Sequence, residues 1–102
     1  MNHVKPTFIQ QHRHIAMLVY PDCLMIDAIA PIEVFNMANC ALQLMGKISL
    51  SESVYTLSIV AEQSGAVKTS SGICIVADKS YEDLNEGIDT LMVAGATHQA
   101  YL

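Results

Sequence analysis

The sequence predicts an α/β fold built on a mainly parallel sheet with flanking helices. Three observations carry this. HIAMLVY at 14–20 is an apolar run of strand length with no polar face, as a strand covered on both sides requires. Helical spacing occupies a long stretch after the first run. The order strand, helix, strand, hairpin, short helix, strand is the alternation that parallel sheets need for their crossovers.

The elements follow in order. Residues 1–13 are polar, lack periodicity and contain Pro6, so they read as a flexible arm. His14 to Tyr20 is the first strand, ended by Pro21-Asp22. Asp22 is placed to cap the next segment by accepting from free helix N–H groups. Leu24, Met25 and Ile26 give a first turn. Pro31 then either opens a helix or kinks one already begun. Pro31, Val34, Phe35, Ala38, Ala41, Leu42 and Met45 share one helical stripe, with Glu33, Asn36 and Gln43 outside it. Gly46 suits the helix end, and residues 47–53 form a loop.

Val54 to Ala61 is the second strand, followed by a turn at Gln63-Ser64-Gly65. Val67 to Thr69, the turn Ser70-Ser71-Gly72, and Ile73 to Ala77 form a hairpin. Ser80 with Asp83 resembles a capping box opening a short helix through Leu84, closed by Asn85-Glu86-Gly87. Asp89 to Ala94 is the last strand, running into Gly95-Ala96-Thr97-His98. One long helix and one short one are too few to cover both faces of such a sheet. Residues 14–102 therefore read as the first half of a larger domain, or as a chain whose partner covers the rest. On its own, half a doubly wound sheet is expected to aggregate or to pair with a second copy.

Composition narrows the function. Of 102 residues, 52% are hydrophobic and 15% charged, too apolar for a disordered tail. Ten acidic against five basic residues give a net charge of −5, which repels phosphate and argues against nucleic-acid binding by this chain alone. Three cysteines without a CxxC fit reduced thiols and a cytoplasmic location. The apolar stretch Ile15 to Ile32 contains Asp22, Asp27, Pro21 and Pro31. An aspartate at mid-bilayer costs about 3 kcal/mol, so no membrane partner is expected.

The runs YPDCLMIDAIAPIEVFNMAN, YTLSIVAEQSGAVKTSSGICIVAD and IDTLMVAGA resemble the DJ-1/PfpI (class I glutamine amidotransferase-like) superfamily, which is flavodoxin-like. Within it they resemble the N-terminal sensor domain of AraC-family transcriptional regulators of the GlxA type. The likeness spans residues 14–96. It rests on an Asp four residues before a Pro, Glu-Val-Phe after that Pro, an aromatic-started strand, a Ser-Ser-Gly element and a strand ending in a glycine pair. Two features depart from the pattern: Pro21-Asp22-Cys23 lacks the usual glycine and aromatic residue, and the glycine pair is Gly95-Ala96. The family's nucleophile elbow and the regulators' DNA-binding helix-turn-helix belong beyond Leu102.

The resemblance implies a non-catalytic sensor that binds a small-molecule effector, forms homo-oligomers and meets DNA only through another domain. The other reading is part of a cysteine hydrolase or hydratase. Asp27 is the sharpest candidate. It follows the first strand, where open α/β sheets place ligands, and its neighbours Met25, Ile26, Ala28 and Ile29 are expected to desolvate it. By the resemblance it holds a polar ligand group, or acts as acid/base partner of an enzyme's nucleophile. The plainer reading is a carboxylate at a helix start, favoured by the helix dipole. Gly95 and Ala96 occupy the family's oxyanion-hole position. There glycine is expected to supply unusual dihedrals and close approach, while the Ala96 Cβ resists positive φ.

Other residues read as structural. Cys23 precedes a helix, where a thiol can be activated, but buried and inert is the commoner state. Cys40 and Cys74 read as core or near-core. Met17, Met25, Met37, Met45 and Met92 read as packing. His12 and His14 lack a third ligand for a metal, and His98 reads as an exposed loop residue. With no phosphate-binding glycine loop, no cofactor is expected.

Overall fold

The computed structural model describes residues 12–84 and 87–96. Most of the N-terminal arm, Asn85-Glu86 and Thr97-His98 lie outside these residues. Six strands and one long helix follow in order: β1 (Arg13–Leu18), α1 (Met25–Leu44), β2 (Tyr55–Ala61), β3 (Gly65–Lys68), β4 (Cys74–Ala77), β5 (Lys79–Ser80) and β6 (Thr90–Val93), with a 3₁₀ turn at Tyr81–Asp83. Four strands form one sheet in the order β5-β2-β1-β6, and every pairing in it is parallel. Strands β3 and β4 form a separate antiparallel hairpin. The two-residue β5 has no sequence signal of its own.

Strand β1 is central, and its residues from Ile15 to Leu18 are all apolar. Ile15, Ala16 and Met17 are buried between β2 and β6. Each large side chain removed from water in this way contributes about 1.5–3 kcal/mol. Helix α1 crosses over the face that carries Met17, Ile59 and Met92, as the right-handedness of β–α–β units dictates, and packs Ala28 and Ile32 there. Val67, Ile75 and Ala77 on the inner face of the hairpin close the same core.

The helix departs from the expected interrupted form. It runs unbroken through Pro31, and its N-cap is Leu24 with no side-chain bond. Asp22 is not the cap. It has a left-handed φ of 69°, and its N–H donates to the Lys68 carbonyl at 2.9 Å. At the other end Gly46, with φ 70°, completes a Schellman motif: Gly46 N–H to Gln43 O at 3.1 Å and Lys47 N–H to Leu42 O at 2.9 Å.

The buried stripe is also rotated from expectation. Ala28, Ile32, Phe35, Asn39 and Leu42 turn to the sheet, while Val34, Ala41 and Met45 are exposed. Phe35 packs against Tyr55 with ring centroids 5.0 Å apart, a tilted pair. The opposite side is apolar too, with Ile26, Met37 and Leu44 in solvent. By length and composition alone, Met25–Leu44 is apolar enough to cross a membrane. Cys40, Cys74, Met37 and Met45 are likewise exposed rather than core. The Ser70-Ser71-Gly72 element is a turn: Gly72 has φ 89°, its N–H donates to Thr69 O at 2.9 Å, and Thr69 Oγ1 bonds Ile73 O at 2.5 Å. Ser80 caps the 3₁₀ turn through Glu82 N–H at 3.2 Å.

Candidate functional site

The loop from β1 to α1 runs toward β2, whereas the chain later returns on the far side of β1 as β6. The reversal leaves a crevice over the C-terminal ends of β1 and β6, where α/β sheets bind ligands. Two backbone links bring the start of α1 to the end of β6. Leu24 N–H donates to Gly95 O at 2.8 Å, and Cys23 faces Ala96 in a single antiparallel bridge. Tyr20 adds a third link, its hydroxyl donating to Ala94 O at 2.6 Å.

These links set Asp27 against Gly95. A Cβ built on Gly95 would collide with Asp27 Oδ2 and lie 3.3 Å from its Cγ. Glycine is therefore required here for close approach alone. Gly95 does not have positive φ, and neither does Ala96, so the expected unusual dihedrals are absent and Ala96 fits without strain. Neither the Gly95 nor the Ala96 N–H has an acceptor among the described residues.

Asp27 lies in the first turn of α1, where the helix dipole favours a carboxylate. It is exposed. The desolvating shell expected from its neighbours does not form, because Ile26 is 71% exposed and Ile29 also reaches solvent. Pro31 contributes through its spacing: it lacks the N–H that would meet the Asp27 carbonyl four residues back, and its ring crowds that carbonyl.

Asp27 and Gly95 line an open recess of about 520 Å³ with Met17, Ile26, Ala30, Pro31, Met92 and Val93. One carboxylate stands on a wall that is otherwise apolar. It can accept hydrogen bonds from a ligand's donors, while the free N–H groups at the strand end suit an acceptor. Sequence reasoning missed Ala30, Pro31 and Met92 as lining, although helical spacing from Asp27 points to the first two. Cys23 is fully buried in the core, as an inert thiol would be. No group of three metal-ligating side chains occurs among the described residues. His12 is exposed, and His14 Nε2 pairs with Ser58 Oγ at 2.8 Å.

No family model and no curated protein matches the sequence. Solved structures do. Oxidised DJ-1 of Toxoplasma gondii superposes with a TM-score of 0.64 at 19% identity, over 84% of this chain and 40% of that one. Drosophila melanogaster DJ-1beta gives 0.67 at 14% identity, over 89% and 42%. An AraC-family transcriptional regulator from Pseudomonas putida gives 0.54 at 16% identity, over 83% and 48%. The chain thus has the DJ-1/PfpI fold, over a span less than half the length of the proteins that share it.

Proposed function

We propose that this chain is the ligand-sensing and dimer-forming part of an AraC-family transcriptional regulator, cytoplasmic and without catalysis of its own. The observation that carries the reading is Asp27 held against Gly95 in an apolar recess at the sheet's reversal point. No nucleophile joins them among the described residues lining that recess. The fold shared with a regulator supports it. In this reading a small-molecule effector with a hydrogen-bond donor and an apolar body sits on Asp27. The outward stripe of Ile26, Met37 and Leu44 meets a second copy, and DNA is contacted by another domain.

The test is titration of the ¹⁵N-labelled chain with a panel of small amides, amines and hydroxy compounds, following backbone shifts. An effector should move the Asp27 and Gly95 signals saturably. Asp27→Ala should weaken that binding by about tenfold, as loss of a hydrogen bond to a charged group does. Turnover of a compound in the panel, abolished by Asp27→Asn, would overturn the non-catalytic reading in favour of a hydrolase or hydratase in which Asp27 moves the proton.

A further inference from the structure

The Asp27 carboxylate is relieved of the task its position usually gives it. Asp27 is the third helical residue after the N-cap Leu24, where an acid ordinarily reaches back to accept the N-cap N–H. Here that N–H donates to the Gly95 carbonyl at 2.8 Å. The carboxylate instead lies with Oδ2 against Gly95, while Oδ1 is farther from it. The side chain makes no hydrogen bond or ion pair among the described residues. Every other described residue that lines the recess of about 520 Å³ is uncharged. A smaller recess on the other side of β1, about 270 Å³, is different. It lies between the C-terminal ends of β1 and β2 and the hairpin, and both Glu62 and Lys68 line it beside Val19, Ala61 and Val67. The larger recess carries one sign of charge alone, on a wall that is otherwise apolar.

We propose that the Asp27 recess takes a primary aliphatic amine in its ammonium form, with the head on Asp27 and the hydrocarbon on Met17, Ile26, Pro31 and Met92. That ligand class rests on the effector reading proposed above. Charge decides between ligands of one shape. An unpaired carboxylate repels an anion. A charge-assisted hydrogen bond is about twice as strong as a neutral one, so an ammonium outcompetes an alcohol or an amide. The positive end of the α1 dipole offsets only about half a charge, which leaves the carboxylate attractive. The chain's net charge of −5 adds to the pull on a cation. Gly95 then selects among cations. It covers the Oδ2 side, which a guanidinium needs for its two parallel bonds. An ammonium is a compact donor that a single oxygen can hold, and a quaternary ammonium has no N–H to give. The apolar wall sets the body. Ala30 and Pro31 stand three and four residues beyond Asp27, about 4.5–6 Å along the helix, the depth of one six-membered ring.

The test is titration of the full ¹⁵N-labelled chain with cyclohexylamine, cyclohexanol and cyclohexylguanidine, which share one body and differ in the head. The amine should shift the Asp27 and Gly95 amides saturably and bind about tenfold tighter than the alcohol. Its affinity should fall several-fold from low to high salt, while that of the alcohol holds. Asp27→Asn keeps the shape and removes the charge, and should bring amine and alcohol to equal affinity. The salt comparison on the unaltered chain decides the matter if that variant does not fold. Alcohol or guanidine binding as tightly as the amine at Asp27 and Gly95 would overturn the amine and leave the effector site standing. Amine shifts centred on Val19 and Val67 in the smaller recess, or no saturable amine binding, would overturn the proposal too; the effector reading falls with it only if the wider panel above is also silent.

Discussion

The two rims of the parallel sheet use polar groups in opposite ways. At the N-terminal rim Asp89 and Asn39 are both bonded to backbone. Asp89 Oδ2 accepts the His14 N–H at 2.7 Å while Asp89 N–H donates to His14 O at 3.0 Å, and Arg13 stands 3.9 Å from the same carboxylate. Asn39 reaches from α1 to accept the N–H groups of Val54 and Tyr55, each at 3.0 Å, and to donate to Tyr55 O at 3.0 Å. At the C-terminal rim the Asp27 side chain makes no hydrogen bond or ion pair among the described residues, and its neighbour is a glycine that must stay bare. What separates the two acids is the backbone each meets: Asp89 latches β1 to β6, whereas the Asp27 carboxylate meets only the bare Cα of Gly95.

Three substitutions sharpen that contrast. Asn39→Ala should have the largest effect, because it strands two backbone donors in a buried position. Unpaired buried groups cost about 1–3 kcal/mol each, so thermal unfolding should show a loss of about 2–4 kcal/mol, and a loss below that of an ordinary surface change would dissolve the contrast. Gly95→Ala should follow, with about 1–3 kcal/mol of overpacking. Adding Asp27→Gly should restore most of that, whereas additive losses in the double mutant would mean the two residues do not meet. The smallest effect distinguishes the two acids themselves. Asp89→Ala should destabilise by about 1 kcal/mol through its lost hydrogen bond. Asp27→Asn should cost only the helix-dipole contribution, about 0.3–1 kcal/mol. Denaturant midpoints for the pair, read at low and high salt, check the order, since the dipole contribution fades with screening while the hydrogen bonds between Asp89 and the His14 backbone persist.

The central strand was legible because burial on both faces at Ile15, Ala16 and Met17 leaves no choice but continuous apolar sequence. The face of α1 was not. With Ile26, Met37 and Leu44 on one side and Ala28, Ile32 and Leu42 on the other, the apolar period is blurred, and the polar Asn39 on the buried face points the wrong way. Pro31 misled similarly, since a single missing N–H does not end a helix that tertiary packing holds. Asp27 and Gly95 were legible as a pair through resemblance, yet their reason was not. Only the approach of two backbones shows that glycine is there for space and not for its dihedral freedom.

The β1–α1 turn, Tyr20 to Leu24, is bonded on both flanks: to the hairpin through Asp22 N–H and Cys23 O, and to the end of β6 through Leu24 N–H and the Tyr20 hydroxyl. It is a party wall between two chambers. Asp22 holds Lys68, which lines one chamber, and Leu24 holds Gly95, which lines the other, so five residues keep both openings in place.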